Sequence, residues 1–163
     1  MKLEVLKIIL FVGFLLLTGC EHGVVKPVTS KTSDMAIYTS YAPAAIKFMP
    51  LTEVVDANQA KPPKIKVYIS MLDSAGTQIK SPSVFRFELY QRLSRSVERK
   101  GKRIFIWPDI DMTAIAENNG YWQDFLRAYR FDLDFVPQVD QHYILQATCF
   151  TLNGKRLLAE IAF

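Results

Sequence analysis

Apolar and polar positions alternate most clearly between Lys64 and Leu72, where Ile65, Val67, Ile69 and Met71 occupy every second place. That period of two places one side-chain row on a core and the other toward water, the pattern of a half-buried strand. Residues 84–92 repeat it, with Phe85, Phe87 and Leu89 inward and Arg86, Glu88 and Arg92 outward. A helix would scatter those charges into the apolar stripe. Residues 103–107 form a shorter strand ended by Pro108, and Phe131, Leu133 and Phe135 alternate with Arg130, Asp132 and Asp134 as another. Near the start, Ala45-Ile46-Lys47-Phe48-Met49 alternates just before Pro50, which has no N–H to give a ladder and so marks an edge strand.

The period changes once. Trp122, Phe125, Leu126 and Tyr129 fall at i, i+3, i+4 and i+7, predicting a helix over 121–129 that Asn119 caps and that lies across one sheet. Turn signals separate the strands. Asp73-Ser74-Ala75-Gly76 and Ser81-Pro82-Ser83 close two connections, and residues 56–63 form a polar, proline-closed third. Asn153-Gly154, between arms 142–152 and 155–163, predicts a two-residue type I′ hairpin whose second arm is a sheet strand that truncation would unzip. Seven or eight short strands with one helix late in the order predict an all-β sandwich over residues 43–163. That order resembles the transthyretin-like fold, an immunoglobulin-like class of sandwich.

The chain begins differently. Lys2 and Lys7 precede an uninterrupted apolar run over residues 8–17, the charged and hydrophobic regions of an export signal. A spanning helix needs about 20 apolar residues, and here Glu21, His22 and Lys26 follow almost at once. Leu17-Thr18-Gly19-Cys20 resembles the lipobox of bacterial lipoproteins. The resemblance implies cleavage after residue 19 and acylation of Cys20, with palmitate among the chains. Each buried methylene contributes about 0.8 kcal/mol, so two or more chains hold the protein on a membrane. Glu21 stands where the best-known inner-membrane retention signal has Asp, which favours the periplasmic face of the outer membrane. Residues 20–42, rich in Ser, Thr, Lys and Pro, read as a tether.

Composition narrows the function. The chain has 163 residues, 20 basic and 16 acidic; removing Lys2, Lys7 and Glu4 leaves 18 and 15, a net charge of +3. That is short of a nucleic-acid binder's clustering, and export argues against such a partner. A lipidated Cys20 cannot pair with Cys149, which sits in an apolar β-type run and reads as a small core hydrophobe. No serine-hydrolase elbow, zinc-protease helix, phosphate loop or dinucleotide glycine set occurs, so the sequence assigns no catalytic residue, metal ligand or cofactor.

Four constellations are left. Asp109 and Asp111, with Glu117, Asn118 and Asn119 nearby, supply oxygen ligands of the type calcium takes, but match no EF-hand spacing; a solvated polar loop is the simpler reading. Arg92, Arg95, Arg99, Lys100, Lys102 and Arg103 face one acid, Glu98, around a hairpin end; they suit either anionic head groups or a soluble, aggregation-resistant turn. Trp107, Tyr121, Trp122, Phe125 and Tyr129 form either an aromatic platform or, as their periods suggest, core. His22 and His142 lack partners at ligand spacing.

The expectation is a non-enzymatic, membrane-anchored lipoprotein acting as a binding or assembly module with an envelope protein partner. Gly76 and the run Ser81-Pro82-Ser83-Val84-Phe85-Arg86-Phe87-Glu88-Leu89-Tyr90-Gln91 resemble the second-strand region of the outer-membrane lipoprotein of type VI secretion systems, itself transthyretin-like. That likeness implies a structural part of a secretion system, and residues 108–129 depart from it. An envelope enzyme, the remaining alternative, requires a cleft joining Asp109, Asp111 and His142.

Overall fold

The computed structural model describes residues 40–55, 62–94, 97–138 and 141–163, all within the compact unit Met35–Phe163. The signal, Cys20, His22, the tether up to residue 39, Arg95 and most of the 56–63 connection lie outside the described residues. From Ala45 on, the described residues form, in order, β1 (Ala45–Phe48), β2 (Glu53–Val55), β3 (Lys64–Leu72), β4 (Gln78–Ile79), β5 (Ser83–Arg92), β6 (Lys100–Ile106), β7 (Ile110–Asp111), α1 (Ile115–Tyr121), β8 (Trp122–Gln123), β9 (Ala128–Asp134), β10 (Tyr143–Thr151) and β11 (Arg156–Ala162). Two antiparallel sheets result. One runs β1-β3-β9-β8, with β2 and β4 also on β3; the other runs β11-β10-β5-β6, with β7 on β5. This is the predicted all-β sandwich. The long strands are the predicted ones, and β2, β4, β7 and β8 are additions of two or three residues each, too short to carry a period.

The alternating rows become the core. Ile65, Val67 and Ile69 stand opposite Leu133, Phe131 and Tyr129 in the β3–β9 register. Phe85, Phe87 and Leu89 stand opposite Cys149, Ala147 and Leu145 in the β5–β10 register, and all of these are buried. The sheets meet through aromatic rings: Phe131 lies 5.1 Å from Phe85 and 5.0 Å from Phe87, centroid to centroid. On the opposite flank, β1 lies against β11.

Pro50 acts at the edge as expected. β1 and β2 pair with the same side of β3, and between them the chain turns out at Pro50 and back through Thr52, whose N–H donates to the Met49 carbonyl at 3.0 Å. The Thr52 hydroxyl accepts the Tyr68 N–H at 3.0 Å, filling the gap in the ladder.

Three expectations are corrected. The helix is Ile115–Tyr121, not 121–129, and Asn119 lies inside it; Ala114 holds the N-cap position with no side-chain bond. Residues 121–129 instead enter a hairpin, with Trp122 opposite Tyr129 and Gln123 opposite Ala128 around a turn that holds Phe125 almost fully exposed. Residues seven apart share a face in a helix, but they are also cross-strand partners in a hairpin with a four-residue loop, so the stripe fits both. Arg127 closes that turn at φ +49°, the one positive φ outside glycine among the described residues.

The Asn153-Gly154 turn forms, but not as type I′. Only Gly154 has positive φ, at +78°, its N–H bonds to the Thr151 carbonyl at 3.0 Å, and the Thr151 N–H reaches the Lys155 carbonyl at 3.0 Å. Such a turn, with glycine third in the loop, is the bulged alternative. The third correction is Glu88, expected in water and found buried.

Candidate functional site

The outward row of the second sheet begins as ordinary alternation, with Glu88, Gln146 and Glu160 side by side on β5, β10 and β11. A carboxylate in that row is buried only if its charge is answered. Arg103 Nη1 donates to Glu88 Oε1 at 2.7 Å, the Tyr90 hydroxyl reaches the same oxygen at 3.2 Å, and Gln146 Nε2 donates to Oε2 at 3.1 Å. Lys100 bonds Gln146 and Glu160 and lies 4.4 Å from the centre of the Tyr90 ring. Burial first, and the Glu88 charge second, push the Tyr90 hydroxyl above the ordinary phenol range. Thus part of the basic cluster is used internally: Arg103 and Lys100 neutralise the sheet's own acids. Among the described residues Arg92, Arg99 and Lys102 make no side-chain bond, and Lys102 and Arg99 are exposed.

β6 carries this cluster and ends its sheet. It pairs only with β5 among the described residues, through a register that shifts twice, between Leu89 and Tyr90 and between Tyr90 and Arg92. Its second half is apolar and open: Ile104, Phe105 and Ile106 are 41 %, 46 % and 44 % exposed. Phe105 packs edge-on against Trp107 at 4.9 Å; Trp107 continues to Phe135 at 6.4 Å, and Phe135 to Tyr143 at 5.2 Å. Trp107 is fixed by donating Nε1–H to the Asp134 carbonyl at 3.0 Å. An aromatic row therefore runs from the sandwich interior out to the β6 edge.

The acidic loop is arranged otherwise. Arg86 grips Asp109 with two bonds, Nε to Oδ1 at 2.8 Å and Nη2 to Oδ2 at 2.7 Å, and this pair holds the carboxyl below its usual range. Asp111 is bound by the Thr113 hydroxyl and N–H, which lower its pKa likewise. Asp109, Asp111 and Glu117 do border a cleft of about 370 Å³ together with Asp132 and Asp134. Its carboxylates are largely spoken for: Lys64 at 2.7 Å and Arg130 at 3.0 Å hold Asp132. No group of three potential metal-ligating side chains converges among the described residues.

Asn118, grouped by sequence with the acidic loop, faces the other way. Its Nδ2 donates to the Ser81 and Met112 carbonyls at 3.1 and 3.0 Å, and its Oδ1 lies 3.1 Å from the Tyr129 hydroxyl. Tyr129 also accepts the Ser81 N–H at 2.9 Å. This buried knot fastens α1 to the segment before β5. Asn119 instead meets Lys80.

The enzymatic constellation is not assembled. Asp111 pairs with Val84 at one end of β5, while the His142 carbonyl accepts the Arg92 N–H at the other. Eight residues of strand separate those ends, about 26 Å at 3.3 Å per residue. The aromatic platform also divides: Trp107 and Tyr129 are buried, Tyr121 and Trp122 half-buried, and Phe125 projects alone from a turn. Cys149 is a buried free thiol.

The sequence did not point to the open half of β6 or to the role of Glu88. The available signal was the density of Lys and Arg at the strand's start, a common device of edge strands. Comparison with known proteins finds no matching family model, no matching curated protein and no matching solved structure.

Proposed function

We propose that this chain is a non-enzymatic lipoprotein of the cell envelope, anchored through acylated Cys20 and presenting its β-sandwich as a binding or assembly module. The observation that carries the reading is Leu17-Thr18-Gly19-Cys20 placed directly behind the apolar run 8–17 and its lysines. The apolar run 8–17 is shorter than the about 20 residues a spanning helix needs, which favours attachment by lipid. Confinement to a surface raises the effective concentration of whatever the sandwich meets, which lets a modest interface act. The outer membrane is the favoured address because Glu21 replaces the retention Asp.

Metabolic labelling tests the anchor. The wild-type chain takes up radiolabelled palmitate and fractionates with membranes, whereas Cys20→Ser takes up none and leaves the membrane fraction. A Cys20→Ser protein that still labels ends the proposal.

A further inference from the structure

β6 is a long strand whose second edge meets no other strand among the described residues. Strand edges invite pairing, and proteins blunt them with lysines, bulges or covering segments. The first half of β6 has the first two devices, in Lys100, Lys102, Arg103 and the two register shifts. The second half has neither. Trp107 N–H donates to the Phe87 carbonyl at 3.1 Å and Phe105 stands opposite Leu89. Because antiparallel bonding alternates along a strand, the intervening Ile106 turns its N–H and C=O away from β5.

We infer that this edge accepts an extended, acidic and apolar segment of a partner protein as an added strand. The main-chain groups of Ile106 supply the ladder bonds, the mode by which peptides join exposed sheet edges. Side chains of the added strand that face inward land on Phe105, the outer member of the aromatic row. Carboxylates at its other end meet Arg99 and Lys102, the cations not absorbed by Glu88 and Glu160. A second copy of this chain fits less well, because β6 carries three cations and no acid, so two such edges repel as they approach and neither offers the other a carboxylate. The inference rests on the binding-module reading and names its surface and the chemistry of its partner.

The test uses the full-length acylated protein in detergent and a fluorescent peptide of alternating Val and Glu, on the order of ten residues, a typical strand length. Anisotropy shows saturable binding that weakens with salt. Ile106→Pro, which deletes the outward donor, weakens binding tenfold or more; Ile106→Val, which keeps it, stays within twofold. The doubly reversed Arg99→Glu, Lys102→Glu protein, altered away from the ladder, loses the Glu peptide and gains a Val–Lys peptide, so charge remains testable if the proline variant misfolds. Absence of saturable binding to wild type up to about 1 mM, the weakest affinity worth the name, overturns the inference. Equal binding by a folded Ile106→Pro protein, or equal binding of the Val–Lys peptide to wild type, does the same. A wild-type dimer that Ile106→Pro dissociates also overturns it by giving the edge to a second copy. Palmitate uptake is read separately, so failure at the edge leaves the anchor standing and the reverse.

Discussion

Cys149 lies on the inner row of β10, where burial pushes its thiol up to about 11 from 9.0. Between those two values the unfolded chain has released a proton that the folded chain keeps. The thiol's contribution to stability is therefore full below pH 9 and falls as pH rises through that window, by about 3 kcal/mol. Denaturant melts across pH 8 to 11 check this: Cys149→Ala shows a flatter decline up to the onset of tyrosine ionisation, and an unchanged slope would remove the thiol from the account. Tyr129, raised by burial, steepens the same limb at higher pH. On the acid side the sign reverses. Burial alone would raise Asp132, but Lys64 and Arg130 outweigh it and hold the carboxyl low, so its contribution fades as pH drops below the ordinary carboxylate range. Residue chemistry of this kind was legible in sequence only where the partner was near. The inward row was plain from alternation, whereas Glu88 looked like its exposed neighbours because Arg103 and Gln146, which answer its charge, belong to other strands.

At the scale of elements, α1 is a seven-residue helix with no side-chain N-cap, too short to stand by propensity. Asn118 holds it, by bonding carbonyls of Ser81 and Met112 and meeting the Tyr129 hydroxyl. Asn118→Ala leaves those buried groups short of a partner and costs about 2 kcal/mol; a urea titration followed by Trp fluorescence measures it. Tyr129→Phe, which removes one hydroxyl and leaves the amide's two carbonyl bonds, costs less than Asn118→Ala, and the reverse ranking would place the knot's centre on the tyrosine. The helix eluded sequence reading for two reasons. Its own residues carry no apolar stripe, since Ile115 is exposed and its buried side chain is an asparagine. The next nine residues carry a stripe that a hairpin reproduces. Strands were recoverable to within a residue or two where one face was buried, as in β3 and β5, and invisible where only two residues pair, as in β4, β7 and β8.

At the scale of the molecule, the sandwich is closed on one flank and, among the described residues, open on the other. β1 covers the β11 side, whereas β6 ends its sheet. The fold class was legible because period-two rows recur along the chain, and a row of apolar side chains must meet another. The candidate site was not, because an edge is a property of strand order, and periodicity is silent about which strand stands last. The basic cluster fell on that edge, yet only the structure separated the cations absorbed by Glu88 and Glu160 from those left over.

The pairing of the sheets also has a consequence in time. β3 joins β9 with Lys64 opposite Asp134, and β5 joins β10 with Glu88 opposite Gln146. The central ladder of each sheet thus waits for partners far along the chain, and a chain must close those long loops before the contacts reward it. Only neighbours such as β10 and β11 can form early. Refolding from urea is accordingly expected in milliseconds to seconds, the range of sandwiches dominated by distant pairings; stopped-flow Trp fluorescence reads it, and a microsecond phase carrying most of the amplitude would contradict it. During that interval the rows that later face each other, Phe85 and Phe87 on one sheet and Phe131 on the other, are uncovered together. The vulnerable period of this protein is therefore its assembly, before those rows have met.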